Sequence, residues 1–257
     1  MMYSKAAFLS ALLAATPLAL AQNSTSTSAA VSLQGKSSPK RGLCYVNPTA
    51  ESDDNFWKGN ATVSSDLTWY YNYQDKPTAE YQSTHMEFVP MLWGAPSNPT
   101  TNTDFYNSVS SQIKGGANIS HVLGFNEPDG CASGGSCVSA QIAAQVWKKQ
   151  FEPLKWNLGL QLGAPAVTGS PSGFTWLQAW HSACAAINGN NTGCLVDFIP
   201  MHWYGNFAGL ASHMGQVNGS YPNATSMWVT EYAYNDATLA DTQDFYNQSS
   251  EYFDRLS

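Results

Sequence analysis

Seven short runs rich in β-branched and aromatic residues punctuate the chain, at 42–46, 67–72, 87–93, 121–126, 160–166, 198–204 and 227–232. Their starts lie 25, 20, 34, 39, 38 and 29 residues apart. That is too far for hairpins and enough for a strand, a crossover helix and two loops, so the spacing predicts a parallel sheet. The intervening segments read as helices where they are long enough. Ser139 is placed to cap a helix carrying Ile142, Val146 and Phe151 on one face, with Pro153 ending it. Residues 174–187 set Phe174, Leu177, Trp180 and Cys184 at helical spacing, and 237–256 align Phe245, Ser249, Tyr252 and Leu256. Strand alternating with helix through one domain implies a (β/α) barrel or a doubly wound sheet.

Missing motifs favour the barrel. Neither Gly-x-Gly-x-x-Gly nor Gly-x4-Gly-Lys-Ser/Thr follows any of the runs, and the nearest string to a nucleophile elbow, Gly169-Ser170-Pro171-Ser172-Gly173, has proline at its centre. In a barrel, chemistry collects where strands end and the following loops begin. The fourth run ends Gly124-Phe125-Asn126-Glu127-Pro128-Asp129, the sixth Met201-His202-Trp203-Tyr204-Gly205 and the seventh Trp228-Val229-Thr230-Glu231-Tyr232-Ala233. Glu127 and Glu231 each follow an apolar stretch at a strand end. Two carboxylates facing one water-poor cleft are what glycoside hydrolysis needs, one to protonate the leaving oxygen and one to attack the anomeric carbon or activate water. Asp129, one residue past the proline, reads equally as a loop cap and is left out of the catalytic set.

These strings, with Arg41-Gly42-Leu43, Trp69-Tyr70-Tyr71-Asn72 and Pro90-Met91-Leu92-Trp93-Gly94, resemble glycoside hydrolase family 128 of the clan A retaining glycosidases, whose fungal branch includes the alkali-sensitive linkage proteins. The resemblance covers roughly residues 40–256. It implies a (β/α)8 barrel of the TIM type and an endo-acting β-1,3-glucanase that works by double displacement, with Glu127 as acid/base and Glu231 as nucleophile. By position, Asn126 would bind the sugar 2-OH, and His202 and Tyr204 would orient the nucleophile. Trp69, Tyr71, Trp93 and Trp203 would offer flat faces for glucose rings. Members of the family continue into an eighth strand and helix. After the seventh unit this sequence reaches Ser257, so the expectation is a barrel lacking that unit, with its first and seventh strands close together but not joined by a full ladder. A glucan-binding protein without turnover is the alternative function.

Composition refines the setting. Residues 1–21 read as a secretory signal peptide, with Lys5 before an apolar run and Ala19-Leu20-Ala21 at the cleavage site. Residues 22–40 form a Ser/Thr-rich linker too poor in apolar groups to fold, which leaves 41–257, or 217 residues, as the catalytic domain. Hydrophobic residues make up 43% of the chain and charged ones only 11%, with a net charge of −7 and no basic run. The charge argues against nucleic acid and an anionic membrane as partners, and a neutral β-glucan polysaccharide or oligosaccharide fits better. No apolar stretch after residue 21 is long enough to span a bilayer. A secreted, extracellular or wall-bound monomer is expected, needing no cofactor. Zinc-type spacings do not occur, and no metal is expected. Of five cysteines, Cys131–Cys137 and Cys184–Cys194 are the preferred disulfides, and Cys44 reads as a small buried hydrophobe. Sequons begin at Asn23, Asn60, Asn118, Asn190, Asn218, Asn223 and Asn247.

Overall fold

The computed structural model describes residues 40–46, 54–59, 65–132, 134–189, 193–221 and 224–256, all within the unit Ser37–Ser257. The expected signal peptide, and all of the linker but Lys40, lie outside the described residues. Seven parallel strands follow the seven runs: β1 Gly42–Cys44, β2 Trp69–Tyr71, β3 Glu87–Phe88, β4 His121–Leu123, β5 Gln161–Gly163, β6 Phe198–Tyr204 and β7 Ser226–Ala233. They pair in chain order in two sets, β1–β3 and β4–β7. Pro90 has no N–H to donate and sits where the β3 ladder breaks off. Its carbonyl still accepts from Leu123 N at 2.9 Å, and the isolated bridge between Met91 and Leu123 joins the two sets.

Helices fill the crossovers: α1 Asp54–Lys58, α2 Asp104–Lys114, α3 Ala140–Val146, α4 Glu152–Leu158, α5 Pro171–Asn188, α6 Phe207–Ser220 and α7 Leu239–Arg255. The result is a curled, barrel-like α/β fold. Ser139, Asn206 and Thr238 cap α3, α6 and α7 by accepting from backbone N–H groups of the first turn. Pro153 does not end its helix as expected. A π-helical turn over Trp147–Phe151 links α3 to α4, Pro153 falls in the first turn of α4, and the helical path runs on to Gly159 in the left-handed conformation. The wider π turn, across which Glu152 N–H bonds back to Trp147 O, takes up the proline within that continuing path.

The main core lies between the sheet and α3–α5. Trp147 stacks on Phe151 at 4.2 Å, meets Trp180 edge-on at 4.9 Å, and donates its indole N–H to Leu195 O at 3.0 Å. Gly124, just before the Asn126-Glu127 pair, lets that indole press against the end of β4. A Cβ there would stand 2.9 Å from the Trp147 ring and 3.0 Å from Pro165 N. Both short-range disulfides form, Cys131–Cys137 and Cys184–Cys194, and Cys44 is free. The sequon asparagines among the described residues, Asn118, Asn218 and Asn247, are exposed.

Among the described residues no ladder joins β7 to β1. Side chains cross that gap instead. Tyr71 donates to Thr230 O at 3.0 Å. Trp69 packs on Trp228 at 4.6 Å, and Trp228 meets Phe198 at 4.5 Å and His121 at 5.0 Å. Further out, Arg41 pairs with both Asp66 at 2.6 Å and Asp254 at 3.1 Å, and Lys40 donates to the carbonyls of Phe253 and Leu256 at the end of α7.

Glu87 sets the entry to β4. Its Oε1 accepts from Ser120 N at 2.8 Å and His121 N at 3.0 Å, and lies 3.1 Å from His121 Nδ1. Burial pushes its carboxyl up, but the bonds from His121 and Ser120 together outweigh burial and hold it below the ordinary range. A depressed carboxyl contributes stability above its unfolded pKa of about 4.3 and loses it as pH falls through the folded value. In thermal melts from pH 7 to 2, the gap between wild type and Glu87→Gln should be full at neutral pH and narrow below about pH 4. A gap that stays constant with pH would rule out the ionised cap. Gly124→Ala should cost about 1–3 kcal/mol by overpacking against Trp147, read as a lower urea midpoint. An unchanged midpoint would mean that the ring and the β5 backbone yield freely.

Candidate active site

Three strand ends converge on one cluster. Glu127 ends the β4 side, its backbone N–H donating to Ala166 O at 2.7 Å while its neighbour Asn126 donates to Trp93 O at 2.9 Å. These two bonds tie it between the ends of β5 and β3. Its φ of 41° is in the left-handed region, which costs a non-glycine residue of order 1–3 kcal/mol and persists where surrounding bonds over-determine it. Glu231 comes from β7. The β6–β7 register shifts between Met201 and His202, so Met201 pairs with Val229 and His202 with Glu231. Without that bulge, Glu231 would stand opposite Trp203 and His202 opposite Thr230.

His202 is fully buried between the two acids. Its Nδ1 lies 3.0 Å from Glu127 Oε1, and its Nε2 faces Glu231 Oε1 at 3.4 Å. Two phenols hold the second carboxylate: Tyr204 donates to Glu231 Oε2 and Tyr73 to Oε1, each at 2.7 Å. Burial first, and then Glu231 for Tyr204 or Cys44 and Glu231 for Tyr73, push both hydroxyls far above the ordinary tyrosine range, so they remain donors at any working pH. Glu127 Oε2 takes no hydrogen bond among the described residues. Oxygen and nitrogen atoms of Glu127, His202 and Glu231 lie within 4.8 Å of one another. This trio could therefore gather a cation, although each group already faces another member of the set.

The other expected residues separate into two groups. Asn126 is buried one residue from Glu127, donating Nδ2 to Gly134 O at 3.2 Å and leaving Oδ1 without a partner. Trp93 is 40% exposed and lines an open cleft of about 480 Å³ with residues 94–95, 136–139 and Ile142. Asn126, His202, Tyr204 and Trp93 thus gather around or beside the carboxylates. Trp69, Tyr71 and Trp203 do not. Trp69 sits at the first residue of β2 over Gly42, among the aromatic rings that cross to Trp228. Tyr71 is fully buried, donating its hydroxyl to Thr230 O and bordering the Cys44 thiol. Trp203 points away from its neighbours His202 and Tyr204, as alternation along a strand requires, and lies against α6, where its ring leaves no room for a Cβ at Gly209. These three rings stack on protein. Asp129 caps the loop after β5, accepting from Thr168 N at 2.9 Å and Thr168 Oγ1 at 2.5 Å. Tyr73 is the residue that sequence reading missed, since the second run was closed at Asn72. Its one signal was continuation of the aromatic string past that asparagine.

The sequence profile of the glycosyl hydrolase catalytic core matches residues 42–257. Alkali-sensitive linkage protein 1 of Schizosaccharomyces pombe is 32% identical over 199 residues, 76% of this chain. The matched part is about a third, 32%, of that relative's length. Among solved structures, a curdlan-specific exo-β-1,3-glucanase of family 128 from Blastomyces gilchristii, in complex with glucose, is 25% identical with a TM-score of 0.64, covering 84% of each chain. A mutant family 128 endo-β-1,3-glucanase from Amycolatopsis mediterranei, in complex with laminaripentaose, is 27% identical at TM-score 0.61 and 85% of each chain. The Pseudomonas viridiflava endo-β-1,3-glucanase shares the fold at TM-score 0.66 and 23% identity, covering 85% of this chain and 83% of that one. Matched over nearly all of its described residues, the chain belongs to the glycosyl hydrolase catalytic core family and shares the fold of the family 128 glucanases.

Proposed function

We propose that the chain hydrolyses β-1,3-glucan with net retention, Glu127 acting as acid/base and Glu231 as nucleophile. The observation that carries this reading is the closeness of the two acids. A Glu127 oxygen and a Glu231 oxygen lie within 4.8 Å of each other, which suits the roughly 5–5.5 Å carboxyl spacing of direct attack. An inverting enzyme separates its carboxyls by about 6.5–9.5 Å to admit a water.

The roles follow from what each oxygen already holds. Both oxygens of Glu231 receive phenol hydrogens, which fix the carboxylate plane for attack on the anomeric carbon. Glu127 keeps Oε2 open, and that oxygen is the one to deliver a proton to the glycosidic oxygen as the C–O bond breaks. Water then attacks the glycosyl ester and gives its proton to Glu127, and Glu231 leaves as a carboxylate. His202 meets the two acids unequally: Nδ1 lies 3.0 Å from Glu127 Oε1, and Nε2, 3.4 Å from Glu231 Oε1, makes no hydrogen bond. That asymmetry accords with their different roles. The unpartnered Asn126 Oδ1 is suited to the sugar 2-OH, and Trp93 to a glucose face beside the acid.

Action outside the cell, at the wall, accords with the two disulfides, the exposed sequon asparagines and the linkage-protein relative. No helix among the described residues is long and apolar enough to cross a membrane. A glucan-binding role without turnover is the second reading. A laminarin reducing-sugar assay separates the two. Wild type should release sugar, and Glu127→Gln and Glu231→Gln should each lose about 10³-fold or more while still binding laminarin. A wild type as inert as both variants, with binding intact, would replace the hydrolase reading by the second one.

A further inference from the structure

We propose that Cys44 is a positioning residue for the reaction, directing the hydroxyl proton of Tyr73 onto Glu231 through a chain of donors with a single allowed direction. This rests on Glu231 being the nucleophile. Cys44 Sγ lies 3.0 Å from Tyr73 Oη, and Tyr73 Oη lies 2.7 Å from Glu231 Oε1. An ionised carboxylate only accepts, so the phenol must give its one hydrogen to Glu231. The phenol oxygen can then only accept, so in its contact with Cys44 the thiol is the donor, with Tyr71 as the thiol's other neighbour. The reverse order would leave two acceptor oxygens facing each other at 2.7 Å. The thiol also keeps its proton, because burial, opposed by bonds from Tyr71 and Tyr73 and reinforced by Glu231, holds it above the ordinary range. The direction is therefore Cys44 S–H to Tyr73 O–H to Glu231 Oε1.

The local backbone is built around this placement. Tyr73 has φ 61°, a costly conformation for an aromatic residue. The turn around it is held by Asn72, whose Nδ2 donates to Lys76 O at 2.9 Å and whose Oδ1 accepts from Gln74 N at 3.2 Å. Met91 N donates to Gln74 O at 2.9 Å and ties the turn to the end of β3, and the Tyr71 ring packs edge-on against Tyr73 at 5.0 Å. A hydroxyl needed only for packing would not require a strained residue fixed from three sides. In the second chemical step Glu231 recovers its negative charge as the ester breaks, and a phenol proton already aimed at Oε1 stabilises that charge without reorienting. The thiol, donating to the same phenol oxygen, reinforces the orientation that the carboxylate sets.

The test uses the full chain on laminarin. Tyr73→Phe should lower kcat by about 10–100-fold with KM rising no more than about twofold. Cys44→Ala and Cys44→Val, which lack the donor, should lower kcat by about 3–10-fold, and Cys44→Ser should restore most of that loss. In the Tyr73→Phe background, Cys44→Ala should have no further effect. Equal impairment by Ala, Val and Ser, or a Cys44→Ala effect of the same size with and without the Tyr73 hydroxyl, would overturn the proposal. Thermal melts identify any variant that fails to fold, and Ala and Val stand in for each other there. An active Glu231→Gln would instead remove the nucleophile reading on which the proposal rests.

Discussion

A single buried imidazole sits where two acids from different strands meet, and much of the upper barrel is arranged to keep it there. His202 has no contact with solvent, so each of its nitrogens depends on protein for a partner. Nδ1 finds Glu127 at 3.0 Å, while Nε2 faces Glu231 at 3.4 Å without a hydrogen bond. The β6–β7 bulge brings Glu231 opposite His202, and the strained φ of Glu127 turns the other acid inward. Gly124 admits Trp147 beneath that end of β4, so core packing and site geometry meet at one strand terminus. Neither acid is positioned by its own strand alone.

The parts of this arrangement that follow a regular period were readable in the sequence. Strand spacing located all seven strands, because a crossover needs a minimum length and parallel strands cannot be joined by less. The two glutamates were visible because an acid at the end of an apolar run has no ordinary packing role. What breaks the period was hidden. Tyr73 lies beyond the run at positive φ, and nothing in composition marks an aromatic residue as left-handed. The bulge beside His202 changes phase by one residue without a glycine to announce it. The π-helical turn before Pro153 likewise turned an apparent stop into a junction.

Aromatic residues were the least legible class for a different reason. A ring stacks on a sugar or on another ring by the same apolar face, so Trp93 and Trp203 look alike in the sequence. Strand alternation separates them once the inward phase is known: His202 and Tyr204 meet the acids, and Trp203 meets α6. Trp69 and Trp228 use their faces on each other, in the region where β1 and β7 share no ladder. Side-chain stacking there does part of what backbone pairing does elsewhere in the sheet.

The contacts of Lys40 and Arg41 bear on when this chain is able to fold. Arg41 reaches Asp254 across 213 residues, and Lys40 reaches Leu256 across 216. These contacts of the first strand's N-terminal neighbours therefore form only once α7 exists. During synthesis the early strands emerge long before α7, with their apolar edges uncovered. Contacts between residues so far apart in sequence slow folding and lengthen the time during which sticky intermediates persist.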